Sequence, residues 1–248
     1  MATSIVEHPT VVSQEEWLAA RKSLLAREKE FTRQRDAIRA ERMKLPWVKV
    51  EKEYVFDTSH GKKTLRDLFD GRSQLIINHF MFGPGWEEGC KGCSFGADSI
   101  DGVVVHIENH DVTFVAVSRA PLPEIEAYKR RMGWGFKWVS SFGSDFNHDY
   151  HVSFTKDELA QGKVFYNFDW TSDGFEELPG HSSFYKDADG NIFHTYSTYA
   201  RGGEMMLSAY GLLDMAPLGR NEHGPHADMQ DWMRHHDKYP SSKPVTIG

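Results

Sequence analysis

The chain of 248 residues holds two cysteines, and both fall in one four-residue window, Cys90-Lys91-Gly92-Cys93. Thiols three residues apart share a face when they stand in a helix, so their sulfurs can join as a disulfide of about 2.05 Å with little rearrangement. At a helix N-terminus, unpaired backbone N–H groups favour the thiolate of the first cysteine, and the thiolate is the nucleophile of thiol chemistry. The second cysteine, inside the first turn, is placed to resolve a mixed disulfide. Cys90 and Cys93 are therefore the candidate redox pair, and they need no cofactor beyond the disulfide they form with each other. Lys91 favours the Cys90 thiolate, whereas Glu87 and Glu88 oppose it if they face it. Trp86, four residues ahead of Cys90, is a candidate apolar wall and substrate contact.

A strand must deliver this motif and a helix must receive it. Gln74–Phe82 (QLIINHFMF) is a dense apolar run of strand length, as in a buried parallel strand. The loop GPGWEEG follows, and Cys90 opens a helix expected to reach about His106. Asp111–Ser118 reads as a second buried strand, Pro121–Met132 as an amphipathic helix and Phe136–Ser140 as a third strand. Ahead of them, Tyr54–Asp57 reads as a short strand and Thr64–Phe69 as a short helical piece. Ser182–Lys186 and Asn191–Tyr199 flank Asp187-Ala188-Asp189-Gly190, a hairpin turn signal, and Glu204–Met215 reads as a closing helix. The β-α-β-α-β-β-α succession is α/β with a parallel core, and a CxxC at its first strand–helix junction is the thioredoxin-like arrangement.

Appendages surround that unit. Residues 13–45 read as one long polar helix, an N-terminal arm, with Ser13 and Glu16 in a capping-box pattern. Trp17, Leu24, Phe31, Ile38 and Leu45 recur every seven residues, a narrow seam suited to packing on its own domain or on a partner subunit without being enveloped. The expected organisation is an arm over 1–45, a thioredoxin-like domain over 46–215 and a C-terminal extension over 216–248. An aromatic-rich insertion at about 141–180 carries one short helix between Thr155 and Gly162. The extension shows one short helical pattern, Met229, Trp232, Met233 and His236. A homodimer through the arm is the expected assembly, the alternative being an arm folded back over the chain's own 141–180 insertion.

Composition narrows the partners. There are 36 acidic against 29 basic residues, a net charge of −7, and no long basic run of the kind that phosphate binding needs. At 40% hydrophobic and 26% charged the chain has ordinary globular composition. No stretch approaches the roughly 18–20 apolar residues of a membrane span, and the first residues lack the pattern of a secretory signal. A soluble cytoplasmic protein acting on a thiol, disulfide or other small molecule is expected, without nucleic-acid or membrane partners.

The strings HFMFGPGWEEGCKGCSF, DVTFVAVSRAPLPEIEAYKRRMGW, WVSSFGSDFNHDYHVSF and FYKDADGNIFHTYSTYARG resemble the bacterial thioredoxin-like family catalogued as domain of unknown function 899. Its members are described as predicted dithiol–disulfide oxidoreductases, and the resemblance covers nearly the whole chain. It implies a thioredoxin-like fold and exchange chemistry at Cys90 and Cys93. Thioredoxins also place a cis-proline immediately before the first hairpin strand, facing the cysteines. The corresponding stretch here is Pro179-Gly180-His181-Ser182-Ser183, which puts Ser182 at that substrate-facing spot.

Three alternatives stand beside dithiol exchange, one of them a binding module in which the CxxC is vestigial. A thiol peroxidase needs only an exposed low-pKa cysteine and a resolving partner. The peroxiredoxin pattern Pro-x-x-x-Thr-x-x-Cys is absent, since Gly83 and Trp86 stand seven residues before the two cysteines. A copper or zinc site would use Cys90 and Cys93 with His79 and His181. The tail histidines His223, His226, His235 and His236 read as solvated.

Overall fold

The chain divides at Pro46 into an N-terminal unit and a unit running from Trp47 onward. The computed structural model describes residues 10–172, 175–222, 224–226 and 229–240. The N-terminal unit carries α1 (Gln14–Arg42). Ser13 caps it: the Ser13 amide donates to the Glu16 carboxylate at 2.9 Å while the Glu16 amide donates to Ser13 Oγ at 3.2 Å. Glu15 and Glu16 in the first turn and Arg39 and Arg42 in the last complement the helix dipole. No residue of α1 is buried, and the seam of Trp17, Leu24, Phe31 and Ile38 is exposed along its length.

The second unit is built on strands β1 (Val48–Lys49), β2 (Val55–Thr58), β3 (Gly61–Thr64), β4 (Gln74–His79), β5 (Val112–Ser118) and β6 (Lys137–Ser140). After an excursion come β9 (Gly180–Lys186) and β10 (Ile192–Tyr199). Within the excursion, β7 (Val164–Tyr166) and β8 (Asp169–Thr171) pair as a separate hairpin. The eight-stranded sheet has the order β1-β10-β9-β4-β5-β6-β2-β3. β4, β5 and β6 run parallel, and β9 pairs antiparallel with both β4 and β10. Helices α2 (Lys91–Asp101) and α3 (Val104–Glu108) connect β4 to β5, and α4 (Leu122–Met132) connects β5 to β6. The excursion holds α5 (Phe146–Asp149) and α6 (Lys156–Ala160), and α7 (Ser208–Leu213) follows β10. A parallel β-α-β core continued by an antiparallel hairpin and a helix is the thioredoxin-like α/β fold, so the expected fold class holds.

Several local expectations are corrected. Thr64 closes β3 by pairing with Val55, which leaves only Asp67–Phe69 as a single 3-10 turn. The helix after the cysteines stops at Asp101 and restarts at Val104, because Gly102 is a poor helix former. Glu204–Met215 is not one helix: Ala200–Met206 winds as 3-10, and Leu207 (φ −90°, ψ 79°) breaks the path before α7. Among the described residues no helix is long and apolar enough to cross a membrane.

Alternation along β4 divides the core. Leu75 and Ile77 join Phe56, Phe69, Val115, Phe146, Tyr150 and Phe184 on one face. Ile76 packs on the other face with Phe80, Phe114, Ile125, Tyr128 and Trp138, where Ala97 and Ile100 of α2 also lie. The dithiol belongs to this second face, with Cys93 and Trp86 packed against its cluster.

Candidate active site

The site is the turn from the end of β4 into α2. Pro84-Gly85 makes it reverse, closed by the Trp86 amide donating to the Gly83 carbonyl at 3.2 Å, with Gly85 at φ +78° as the position after proline demands. Two bonds clamp the loop ends together. The Cys90 amide donates to the Met81 carbonyl at 3.0 Å, and the Met81 amide points at Cys93 Sγ at 3.4 Å. Gly89 has to be glycine, because a methyl there would stand 2.6 Å from the Phe80 ring and 2.9 Å from the Tyr128 ring.

Cys90 is the N-cap residue of α2, and both cysteines are free thiols and half-buried. Cys93 presents its S–H to the Cys90 sulfur, the amides of Cys93 and Gly92 point at the same atom, and Lys91 adds positive charge. Together they outweigh burial and bring Cys90 down to about 6. Cys93 goes the opposite way: its hydrogen bond to Cys90, burial and the negative charge of Cys90 and Glu177 hold its proton on. The pair is thus divided into a thiolate and a thiol at neutral pH.

The surroundings hold that division in place. Ser94 Oγ donates to the Cys90 carbonyl at 2.8 Å and meets the Tyr128 hydroxyl at 2.9 Å, fixing the first turn. Glu88 does not oppose the thiolate, since Arg131 at 2.6 Å and Lys238 at 2.6 Å neutralise it; Glu87 is exposed. Trp86 lies over Gly83, its Nε1 3.0 Å from where a methyl on that glycine would be, and Glu177 Cγ approaches the same point at 3.4 Å. Glu177 is itself buried, accepting from Ser153 Oγ at 2.6 Å and paired with Arg119 Nε at 2.9 Å. Burial pushes its carboxyl up to about 7 against the pull of Arg119 and Ser153.

The other expected site residues lie elsewhere. Ser182 stands opposite Ile77 in β9, on the face away from α2, fully buried and bonded to His79 Nε2 and Ser197 Oγ at 2.8 Å each. It therefore does not face the cysteines; the strand register sends its side chain through the sheet. His79 follows Leu75 and Ile77 onto the same face and stacks on Phe146 and Tyr150. His181 pairs with Asn78 and so turns to the opposite face, beside Gly203. The two histidines are split by the sheet, and among the described residues no three His, Cys, Asp or Glu side chains gather as a metal site.

The tail is also corrected. His235 is buried, its Nε2 2.8 Å from the Gly89 carbonyl, and Met233 is buried against the start of α2. His223 lies outside the described residues. Glu177, Arg119 and this returning segment were not legible as site residues, because each arrives from a distant part of the chain, and the short helical pattern at Met229–His236 carries no sign of what it packs against.

A family model described as a bacterial protein of unknown function, DUF899, matches residues 6–239. The chain belongs to that family. No curated protein matches this DUF899 chain in sequence. Among solved structures it is similar to a mutant form of peroxiredoxin Q from Xanthomonas campestris, at 13% identity and a TM-score of 0.39, covering 64% of this chain and 90% of that one. Peroxidoxin BcpB from Mycobacterium tuberculosis is similar at 11% identity and a TM-score of 0.40, covering 66% and 94%. A putative protein disulfide isomerase from Bacteroides thetaiotaomicron is similar at 15% identity and a TM-score of 0.38, covering 74% and 99%. These likenesses are distant.

Proposed function

We propose that this protein is a thiol–disulfide oxidoreductase in which Cys90 is the nucleophile and Cys93 the resolving thiol. The observation that carries the reading is the unequal environment of the two sulfurs. Cys90, at the N-cap of α2, has three hydrogen donors aimed at it, while Cys93 is held protonated behind it. In the forward step the Cys90 thiolate attacks one sulfur of a substrate disulfide, forming a mixed disulfide and releasing a thiolate that takes a proton from solvent. Cys93 then loses its proton and attacks the Cys90 sulfur; the mixed disulfide breaks, the second substrate thiol leaves and a Cys90–Cys93 disulfide remains. Once Cys90 becomes a neutral mixed disulfide, the negative charge holding the Cys93 proton on is gone, so the order of steps follows from the electrostatics. Two cysteines, both committed to one motif, suit a reducing cytoplasmic compartment.

Cys90→Ser should abolish reaction with a disulfide, and Cys93→Ser should accumulate a mixed disulfide visible by mass spectrometry. Faster alkylation of Cys93 than of Cys90 at neutral pH would reverse the assignment. Rapid consumption of hydrogen peroxide with no reaction toward disulfides would move the chain to the peroxidase alternative.

A further inference from the structure

The dithiol does not lie open. The described segment from Met229 to Pro240 lies across the start of α2 and is fastened on both sides of the cysteines. Within the motif, Lys91 Nζ donates to the Gln230 carbonyl at 3.4 Å, and on the far side of the cysteines the Trp232 ring meets Phe95 edge-on with centroids 5.6 Å apart. On the near side, His235 Nε2 is 2.8 Å from the Gly89 carbonyl, and Arg131 joins Asp237 at 2.7 Å. Between these anchors a methyl placed on Gly92 would touch Met229 Sδ at 3.7 Å, Cys90 Sγ at 3.8 Å and Met233 Cε at 3.8 Å. Two methionine side chains therefore close in on the glycine between the cysteines, next to the attacking sulfur.

A disulfide held in a folded protein carries main chain on both sides of each sulfur. That backbone must lie along the surface beside the nucleophile before the sulfurs can meet. Here the surface on the Gly92 side is already occupied. A low-molecular-mass disulfide needs room only for its own two substituents, and methionine, unbranched with three rotatable bonds, yields to a slender group. We propose that the segment 229–239 is the specificity element of the dithiol, admitting small disulfides and excluding those of folded proteins. The inference rests on the dithiol reading above and names its substrate class. The chemistry is unchanged: one small disulfide is reduced to two thiols while Cys90 and Cys93 are oxidised to their disulfide.

The test is a single turnover of the prereduced full-length chain, which needs no further reductant, against two probes, oxidised glutathione and insulin. The wild-type rate constant for oxidised glutathione should exceed that for insulin by on the order of a hundredfold, specificity being a ratio of rate constants. In a Met229→Ala, Met233→Ala double variant that ratio should fall by about tenfold or more, by faster reaction with insulin. Met233 is buried, so Trp232→Ala, at a half-buried position, is the second variant and carries the test if the first does not fold. Equal wild-type rates on the two probes, or a ratio unmoved by a folded variant, would overturn the specificity element and leave the dithiol reading standing. Reaction with neither probe would overturn both.

Discussion

The two faces of the central sheet treat buried polar groups differently. On one face, His79 Nε2 meets Ser182 Oγ, Ser182 meets Ser197, and Ser197 meets His194 Nε2 at 2.7 Å, a relay enclosed by Phe146, Tyr150 and Phe184. Each hydroxyl in it is bonded to neighbours inside the fold. On the other face, the donors around the α2 N-terminus converge on a single sulfur, that of Cys90, whose bonding changes when it attacks a disulfide. Satisfied polar groups stabilise, whereas donors aimed at an atom that changes its bonding set up chemistry. The difference is testable, because changes on the first face should alter stability without altering the thiol, and changes on the second should do the reverse.

The largest expected effect is at Phe146, fully buried and touching Tyr54, Phe56, His79, Tyr150 and Phe184. Phe146→Ala should cost about 3–5 kcal/mol of stability, as lost transfer energy plus the cavity left behind. Urea unfolding measures that loss. Alkylation of Cys90 under native conditions should keep its wild-type rate, and an altered rate would mean that the two faces are not independent.

A smaller effect comes from acid. Burial, with the nearby positive forms of His181 and His194, lowers His79 to about 3, and burial lowers His181 to about 4. Both are neutral when folded and take up a proton on unfolding at pH 5, so stability falls as pH drops below about 6.5. Glu177, raised to about 7, works against them by holding a proton in the folded state that the unfolded chain releases. His79→Gln should therefore reduce the slope of stability against pH near pH 5 by about 1.4 kcal/mol per pH unit. Urea titrations at several pH values read the slope, and an unchanged slope would show that His79 is not the buried neutral group this face requires.

The same comparison explains what could be read from the residues alone. The CxxC, the apolar run into it and the capping box at Ser13 are local patterns, and local patterns survive translation into structure. Counting by twos from Leu75 and Ile77 already assigns His79 to their face and not to the face of Phe80 and the cysteines. Ser182 could not be placed that way, because its facing depends on the pairing Ile77↔Ser182, and a one-residue slip would have reversed it. The cover over the dithiol was out of reach for a different reason: His235 and Gly89 are 146 residues apart, and no periodicity connects them.

The smallest expected effect concerns Lys91. It is exposed, and its charge is the last of the influences that lower Cys90, after the Cys93 thiol and the Cys93 and Gly92 amides. Those donors are built into the first turn of α2 and remain when the side chain is cut back. Lys91→Ala should therefore slow Cys90 alkylation at pH 6 by about twofold or less, because a solvated charge is weakly coupled. At pH 9 the rate should match wild type, since the thiolate is fully formed in both. In 1 M salt, where screening acts over about 3 Å, wild type and variant should converge at pH 6 as well. A drop of tenfold or more at pH 6 would put the lysine, rather than the helix start, at the centre of thiolate stabilisation, and the contrast drawn between the faces would then rest on one surface charge instead of on the geometry of the α2 N-terminus.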